Sequence, residues 1–185
     1  MFQVQRAKSW WNPVYGLLSG GLWHATSPEG FRGIRADGWI DGKKGCASWD
    51  TPEKNYGQKR GFNSLFDFES ATEEECIIEW DNVCSILYQR PINVLLQFNR
   101  DLMKEKLIAN SVALLDLDQH DRFIRFVEAW YPERIPLSAI TKGVLFQKSP
   151  ADSFTEFTDL QSLEQAVETK LQKLKQFRMD NWPLI

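Results

Sequence analysis

The sequence is poor in the residues that build metal centres and disulfide frameworks. Its 185 residues include three cysteines and two histidines. Cys76 and Cys84 lie eight residues apart, with no C-x-x-C pair and no histidine nearby to complete a zinc site. An odd number of cysteines also argues against a disulfide framework. We therefore expect no metal, no structural disulfide and a protein of the reducing cytoplasm.

Long apolar runs and excess positive charge are also missing. No run reaches the roughly 18 apolar residues that span a bilayer, and residues 1–18 lack the apolar core of a signal peptide. We therefore expect no membrane partner. The net charge is −3, so the chain has no overall basic field to hold nucleic acid, although a local basic groove stays open.

Apolar residues make up 43% of the chain, which is typical of one globular domain over residues 1–185. Eight of the residues are tryptophans. Most of them are expected to pack in the core and its rim, and one or two could stack on a flat ligand.

The local patterns predict short strands interleaved with short helices, and hence an α+β fold. A strand at Leu22–Thr26 precedes a helix with Ser27 as its N-cap. Thr72 and Glu75 form a capping box at the start of a longer helix. The prediction is completed by strands at residues 46–49, 92–98, 111–117, 123–131 and 143–147 (the last strand), a loop at 58–71, and a C-terminal helix at about 159–177.

A carboxylate interrupts the apolar strand predicted at residues 123–131. Strand alternation places Phe126, Glu128 and Trp130 on one face. Burying a charged group costs free energy unless it has a partner or is neutralised. Two interpretations follow for Glu128: a salt bridge to Arg122, Arg125 or a residue elsewhere, or a functional role.

Three segments follow one another in a telling order: LWHATSPEGFRGIRADGWI (22–40), GCASWDTPEKNYG (45–57) and FVEAWYPERIPLSAITKGVLF (126–146). This order resembles the ADP-ribosyltransferase superfamily. Its members include diphtheria-type toxins, poly(ADP-ribose) polymerases, NAD-dependent RNA 2′-phosphotransferases and DarT-type toxins. The resemblance implies split β-sheets with short flanking helices, a motif core over residues 20–147 and a C-terminal helix.

The resemblance implies roles for residues of the first and third segments. His24 would hydrogen-bond the ribose or carboxamide side of NAD, and Thr26 would support that strand edge. Glu128 takes the position of the catalytic glutamate. Breaking the nicotinamide–ribose bond develops positive charge at the anomeric carbon, which a nearby carboxylate stabilises.

The second segment would supply the clamp on the nicotinamide ring. Tyr56 would stack on that ring. Many relatives have a further aromatic residue on the second strand, where this chain has Ala47. Trp49 could supply the missing aromatic face, and Ser48 could take the Ser/Thr role of other branches.

The implied function is NAD-dependent transfer of ADP-ribose to a macromolecule, with NAD as co-substrate. The acceptor stays open among DNA, RNA and protein, although Phe126 two residues before Glu128 argues against arginine-directed transfer. Such an enzyme would be a bacterial or phage toxin or defence effector with an antitoxin or immunity partner. The alternatives are an NAD-dependent RNA 2′-phosphotransferase and a non-catalytic ADP-ribosyltransferase-like binding module.

Overall fold

Eight strands and five α-helices follow one another in the computed structural model, which describes residues 12–44, 57, 60–88, 90–113, 115, 123–148 and 153–181. The strands are β1 (Leu22–Thr26), β2 (Trp39–Ile40), β3 (Asn63–Asp67), β4 (Ile92–Phe98), β5 (Glu128–Tyr131), β6 (Ile135–Pro136), β7 (Ile140–Gln147) and β8 (Ser153–Phe157). The helices are α1 (Asn12–Leu18), α2 (Pro28–Asp37), α3 (Glu73–Leu87), α4 (Asn110–Ala113) and α5 (Leu160–Asn181).

Six strands form one antiparallel sheet in the order β5-β3-β1-β4-β7-β8, and β2 pairs with β6 in a small second sheet. Successive residues of each strand point to opposite faces, so both faces of the large sheet present apolar side chains. Helices cover both of these faces. Helices α2 and α5 pack on one face, over a core that includes Leu22, Leu96 and Leu163. Helices α1 and α3 pack on the other face, over Trp23 and Leu95. The predicted α+β class is confirmed.

Local signals place the first elements as expected. Strand β1 has the predicted bounds. The Ser27 side chain accepts a hydrogen bond of 2.9 Å from the Gly30 N–H, and Gly38, at φ 81°, ends helix α2 in the left-handed conformation. Thr72 and Glu75 form the predicted capping box of α3. Short-range side-chain chemistry fixes these boundaries.

The sheet is nearly divided between β1 and β3. Only two residue pairs join these strands, Leu22 with Asp67 and Trp23 with Phe66. Beyond Trp23, β1 continues beside β4 as far as Thr26, while β3 continues beside β5. The backbones of the two strands are therefore not paired beyond Trp23, and we refer to this unpaired stretch as the gap.

The predicted loop at residues 58–71 is wrong, because it contains β3, a central strand of the large sheet. The polar residues that made this strand resemble a loop contact residues far away along the chain. Asn63 donates to the Glu133 carbonyl at 2.6 Å, and Asp67 pairs with Arg100 at 3.2 Å. These long-range contacts satisfy side chains that would otherwise keep the segment at the surface.

Three strand predictions also need correction. Residues 110–113 begin a helix, not a strand over 111–117. The strand predicted at 123–131 begins only at Glu128. The strand predicted at 143–147 begins earlier, at Ile140, and β8 follows it as the last strand. The strand predicted at 46–49 lies outside the described residues.

The C-terminal helix is confirmed and runs over Leu160–Asn181. It lies against β7 at Gly143, where an added Cβ would fall 2.3 Å from Leu163 Cδ2. Leu163 is fully buried, so its side chain has no room to retreat. The missing side chain at Gly143 therefore sets how closely α5 approaches the sheet. Across the described ranges, no helix is long and apolar enough to cross a membrane.

Replacing Gly143 by alanine should lower the free energy of unfolding by about 1–3 kcal/mol, because the new methyl group overpacks a filled core. Urea denaturation measures this change. The matched control is Gly33→Ala on the exposed side of α2, where the added carbon meets nothing within 4 Å. That variant should gain about 0.5–1 kcal/mol from helix propensity. A Gly143→Ala protein as stable as the parent would contradict this packing.

Candidate functional site

Glu128 opens β5 with its carboxyl group buried and fully hydrogen-bonded. The residue is 4% exposed. The Ser64 hydroxyl donates to Oε1 at 2.6 Å, and the Ile124 N–H donates to Oε2 at 2.8 Å. Strand β3 supplies the first donor, and the turn before β5 supplies the second. The side-chain partner of this carboxyl is therefore a serine on the neighbouring strand.

A tight turn delivers Glu128 to this position. The Glu128 N–H donates to the Ile124 carbonyl at 2.9 Å, and Phe126 adopts a positive φ of 65°. Asn110 is buried and ties the turn to the strand, because its side-chain amide donates to the carbonyls of Ile124 and Glu128. A left-handed conformation costs a bulky residue roughly 1–2 kcal/mol. The surrounding contacts hold this turn against that strain.

Burial raises the pKa of Glu128 to about 7. The hydrogen bonds from Ser64 and Ile124 act in the opposite direction, since they stabilise the charged form. The carboxyl group therefore changes its charge close to neutral pH. Such a group can release or accept a proton at small free-energy cost, which is what general acid–base chemistry requires.

His24 reaches the same serine from the other side. It lies on β1, just past the last pair with β3, and its Nδ1 is 3.0 Å from the Ser64 carbonyl oxygen. A carbonyl only accepts hydrogen bonds, so Nδ1 carries the proton. Burial lowers the pKa of His24, which keeps the ring neutral and leaves Nε2 as a hydrogen-bond acceptor.

The two side chains leave the sheet on opposite faces. His24 pairs with Leu96, which belongs to the core under α2 and α5. Glu128 pairs with Phe66, which belongs to the core under α1 and α3. Ser64 connects them through its carbonyl and its hydroxyl. A ligand that touches both groups must therefore enter the gap between β1 and β3.

The remaining predicted residues are placed as follows. Thr26 is buried under the first turn of α2, where a Cβ added to Gly30 would fall 2.3 Å from its hydroxyl oxygen. This position suits a support for the strand edge. Ser48, Trp49 and Tyr56 lie outside the described residues. No group of three metal-ligating side chains occurs within the part of the chain that the structure describes.

Sequence reasoning missed Ser64 and Asn110, the two polar residues that organise the site. Ser64 lies within the segment assigned to a loop, and Asn110 lies ahead of a segment assigned to a strand. One signal was present. The run 62–68 holds three phenylalanines and a leucine between Gly61 and the polar residues at 69 and 70, and such a run favours a short strand.

No protein-family model matches this chain, and no curated protein matches it. Among solved structures, the chain is similar to the crystal structure of protein CC0527 from Caulobacter crescentus. The TM-score is 0.43 and the identity 13%, over 72% of this chain and 92% of that chain. A likeness at this level carries no argument about function.

The raised pKa of Glu128 predicts a pH-dependent loss of stability. Between about pH 4.5, its ordinary value, and about pH 7, the folded protein keeps a proton that the unfolded chain has released. The free energy of unfolding therefore falls as pH rises through this window. Glu128→Gln removes the effect, and its amide can accept from Ile124 and donate to Ser64.

Urea denaturation at pH 5 and pH 8 compares the two proteins. The Glu128→Gln variant should gain roughly 2–3 kcal/mol relative to the parent between these pH values. Titration of His24 is common to both proteins and cancels in this difference. An identical pH dependence in parent and variant would show that the carboxyl titrates normally.

Proposed function

We propose that this chain is an NAD-dependent ADP-ribosyltransferase. One observation carries the proposal: Ser64 holds the Glu128 carboxyl with its hydroxyl and the His24 ring with its carbonyl, at the gap between β1 and β3. The ordered motif around His24 and Glu128 supports the same activity. The reaction needs a carboxylate beside the reacting sugar and a neutral hydrogen-bonding group that reads its hydroxyls.

The gap offers hydrogen-bonding groups of several kinds to a dinucleotide end. Past Trp23 and Phe66, the facing edges of β1 and β3 are not paired with each other. The Ser64 carbonyl already accepts from His24, and the other N–H and C=O groups that face the gap can bind a planar amide such as the nicotinamide carboxamide. The Nε2 of His24 can accept a hydrogen bond from a ribose hydroxyl.

Glu128 would act in its ionised form. As the bond between nicotinamide and ribose breaks, the bonding electrons leave with the nicotinamide and positive charge grows on the anomeric carbon. A carboxylate held in a site of low polarity stabilises that charge more strongly than it would in water. Because Ser64 and Ile124 fix both oxygens, the group loses little orientational freedom when substrate binds.

The residues that hold the nicotinamide ring, the acceptor and the biological role are part of the same proposal. Tyr56, with Ser48 or Trp49, would hold the nicotinamide ring. The acceptor would be DNA, RNA or a protein, and the enzyme would serve as a toxin or defence effector with an antitoxin or immunity partner. Phe126 is 37% exposed beside Glu128 and offers an acceptor an apolar contact rather than a charged one.

A second candidate function is a non-catalytic module that binds a nucleotide or a partner. Two observations favour it: Glu128 already has both oxygens hydrogen-bonded at 4% exposure, and His24 points to the opposite face. A buried carboxyl arranged in this way can also act as a structural group. The two candidates differ in whether nicotinamide is released.

Glu128→Gln should lower the rate of nicotinamide release from NAD by about 10²–10³-fold, because the amide cannot stabilise the developing cation. Chromatography of the products after incubation with NAD measures this rate. Glu133→Gln is the matched control, since Glu133 lies just beyond the same strand, exposed and paired with Lys106. The control should react at the parent rate.

Equal turnover by Glu128→Gln and the parent would rule out the assigned catalytic role. NAD binding without any nicotinamide release in the parent would instead identify the non-catalytic module. Transfer from labelled NAD to DNA, RNA or lysate proteins then identifies the acceptor.

Ser64→Ala should move the pH dependence of the same reaction. The Ser64 hydrogen bond lowers the pKa of Glu128, so its loss raises that pKa further. The ionised form then appears only at higher pH, and the rising limb of the rate profile shifts in the alkaline direction. Ser64→Thr keeps the hydroxyl and should restore the profile. A lower rate with an unmoved limb would mean that Ser64 does not position the carboxyl.

A further inference from the structure

A cleft of about 410 Å³ lies at the end of the large sheet where β4 begins and β7 ends. Ile92 pairs with Gln147 there, and the Lys148 N–H donates to the Pro91 carbonyl at 2.9 Å. Beyond its contact at Gly143, helix α5 carries Lys170, Lys173 and Leu174 over these strand ends. Spacings of three and four residues place these three side chains on one side of the helix.

The cleft concentrates positive charge in a chain whose net charge is −3. Three lysines line it, Lys148, Lys170 and Lys173. Lys148 donates to the Tyr88 carbonyl at 3.2 Å, and Lys170 donates to the Gln147 side chain at 2.7 Å. Both of these acceptors are neutral, so the hydrogen bonds leave the charges uncompensated.

No carboxylate of the described ranges lies within 4 Å of any of these three lysines. The contrast with other lysines is clear, because Lys104, Lys106 and Lys142 each pair with a carboxylate. The acidic residues nearest along α5 are already engaged: Glu164 and Glu168 pair with arginines of α2. A favourable interaction with the helix dipole does not explain the arrangement either. Lys173 lies two turns before Asn181, and the dipole effect fades within the last turn.

We propose that this cleft binds phosphate groups. Each ammonium group has three donors, and Lys148 and Lys170 each use one, so donors remain for an anion. A phosphate carries nearly two charges and three acceptor oxygens, which several converging ammonium groups can share. Pro91, Ile92 and Leu174 add an apolar wall, which suits the sugar or base of a nucleotide.

The volume of the cleft is in the range of small-molecule sites. The phosphate could belong to a free nucleotide, as a monoester, or to a nucleic-acid strand, as a diester with one negative charge, since ammonium groups bind the anionic oxygens of both. The cleft adjoins β4 and β7, three and four strand positions away from β5, or at least about 14 Å from Glu128. It is thus separate from the candidate site, and the proposal does not depend on NAD chemistry.

The full chain is titrated with fluorescein-labelled oligothymidylate by anisotropy, and with adenosine monophosphate and inorganic phosphate by calorimetry. Lys148→Ala, Lys170→Gln and Lys173→Ala should each weaken binding about tenfold. For the strand, each lost contact should also reduce the slope of log affinity against log salt by about 0.7. The matched control is Lys104→Ala, an exposed lysine outside the cleft.

The probes distinguish the two sources. Adenosine monophosphate that binds and displaces the strand identifies a free-nucleotide site, whereas binding of the strand alone with a steep salt slope identifies a nucleic-acid site. Either outcome supports the proposal if the cleft variants lose affinity and Lys104→Ala does not. Lys173 makes no hydrogen bond with the residues that the structure describes, so Lys173→Ala tests the proposal even if another cleft variant unfolds. No binding of any probe, or equal binding by parent and Lys173→Ala, would overturn the proposal.

Discussion

The candidate site depends on how one serine uses its two oxygen atoms. The Ser64 carbonyl points at β1, where a backbone N–H would normally complete the ladder, and the His24 ring takes that place. The Ser64 hydroxyl points the other way along the sheet face and holds Glu128. Without the first contact the gap between β1 and β3 would expose an unpaired carbonyl. Without the second, a buried carboxyl would lose one of its two strong donors.

The two cores keep this serine in place. Trp23 and Leu22 are neighbours on β1 but belong to cores on opposite faces, and both are almost fully buried. The Trp23 indole N–H donates to the Leu18 carbonyl at 2.9 Å, which locks the strand to the end of α1. The last pair of the β1–β3 ladder is therefore rigid, and the strands part directly beyond it. Burial then favours the neutral form of both groups: it raises the pKa of the Glu128 carboxyl and lowers the pKa of the His24 imidazole.

Sequence reasoning succeeded where the determinants are local. The capping residues Ser27 and Thr72 bond within three residues of themselves, so their helices could be predicted from short patterns. The aromatic run at 62–68 was a local signal for strand β3, but Asn63 and Asp67 obscured it, because their partners lie on segments far along the chain. The positive φ of Phe126 has no sequence signature in a bulky residue, and it shortened the strand that alternation predicted. Glu128 was singled out correctly as a carboxyl within an apolar segment. Its side-chain donor, Ser64, was missed because it lies in the segment that was assigned to a loop.

Direct titration of the Glu128 carboxyl is the measurement that tests this account most closely. Carbon-13 NMR of glutamate-labelled protein follows each side-chain carboxyl, and the Glu128→Gln variant identifies the Glu128 signal by its absence. A buried carboxyl held by Ser64 and Ile124 should titrate with a pKa of about 7. A midpoint near the ordinary value of about 4.5 would show a solvated side chain. That result would contradict both the geometry at Ser64 and the chemistry proposed for it.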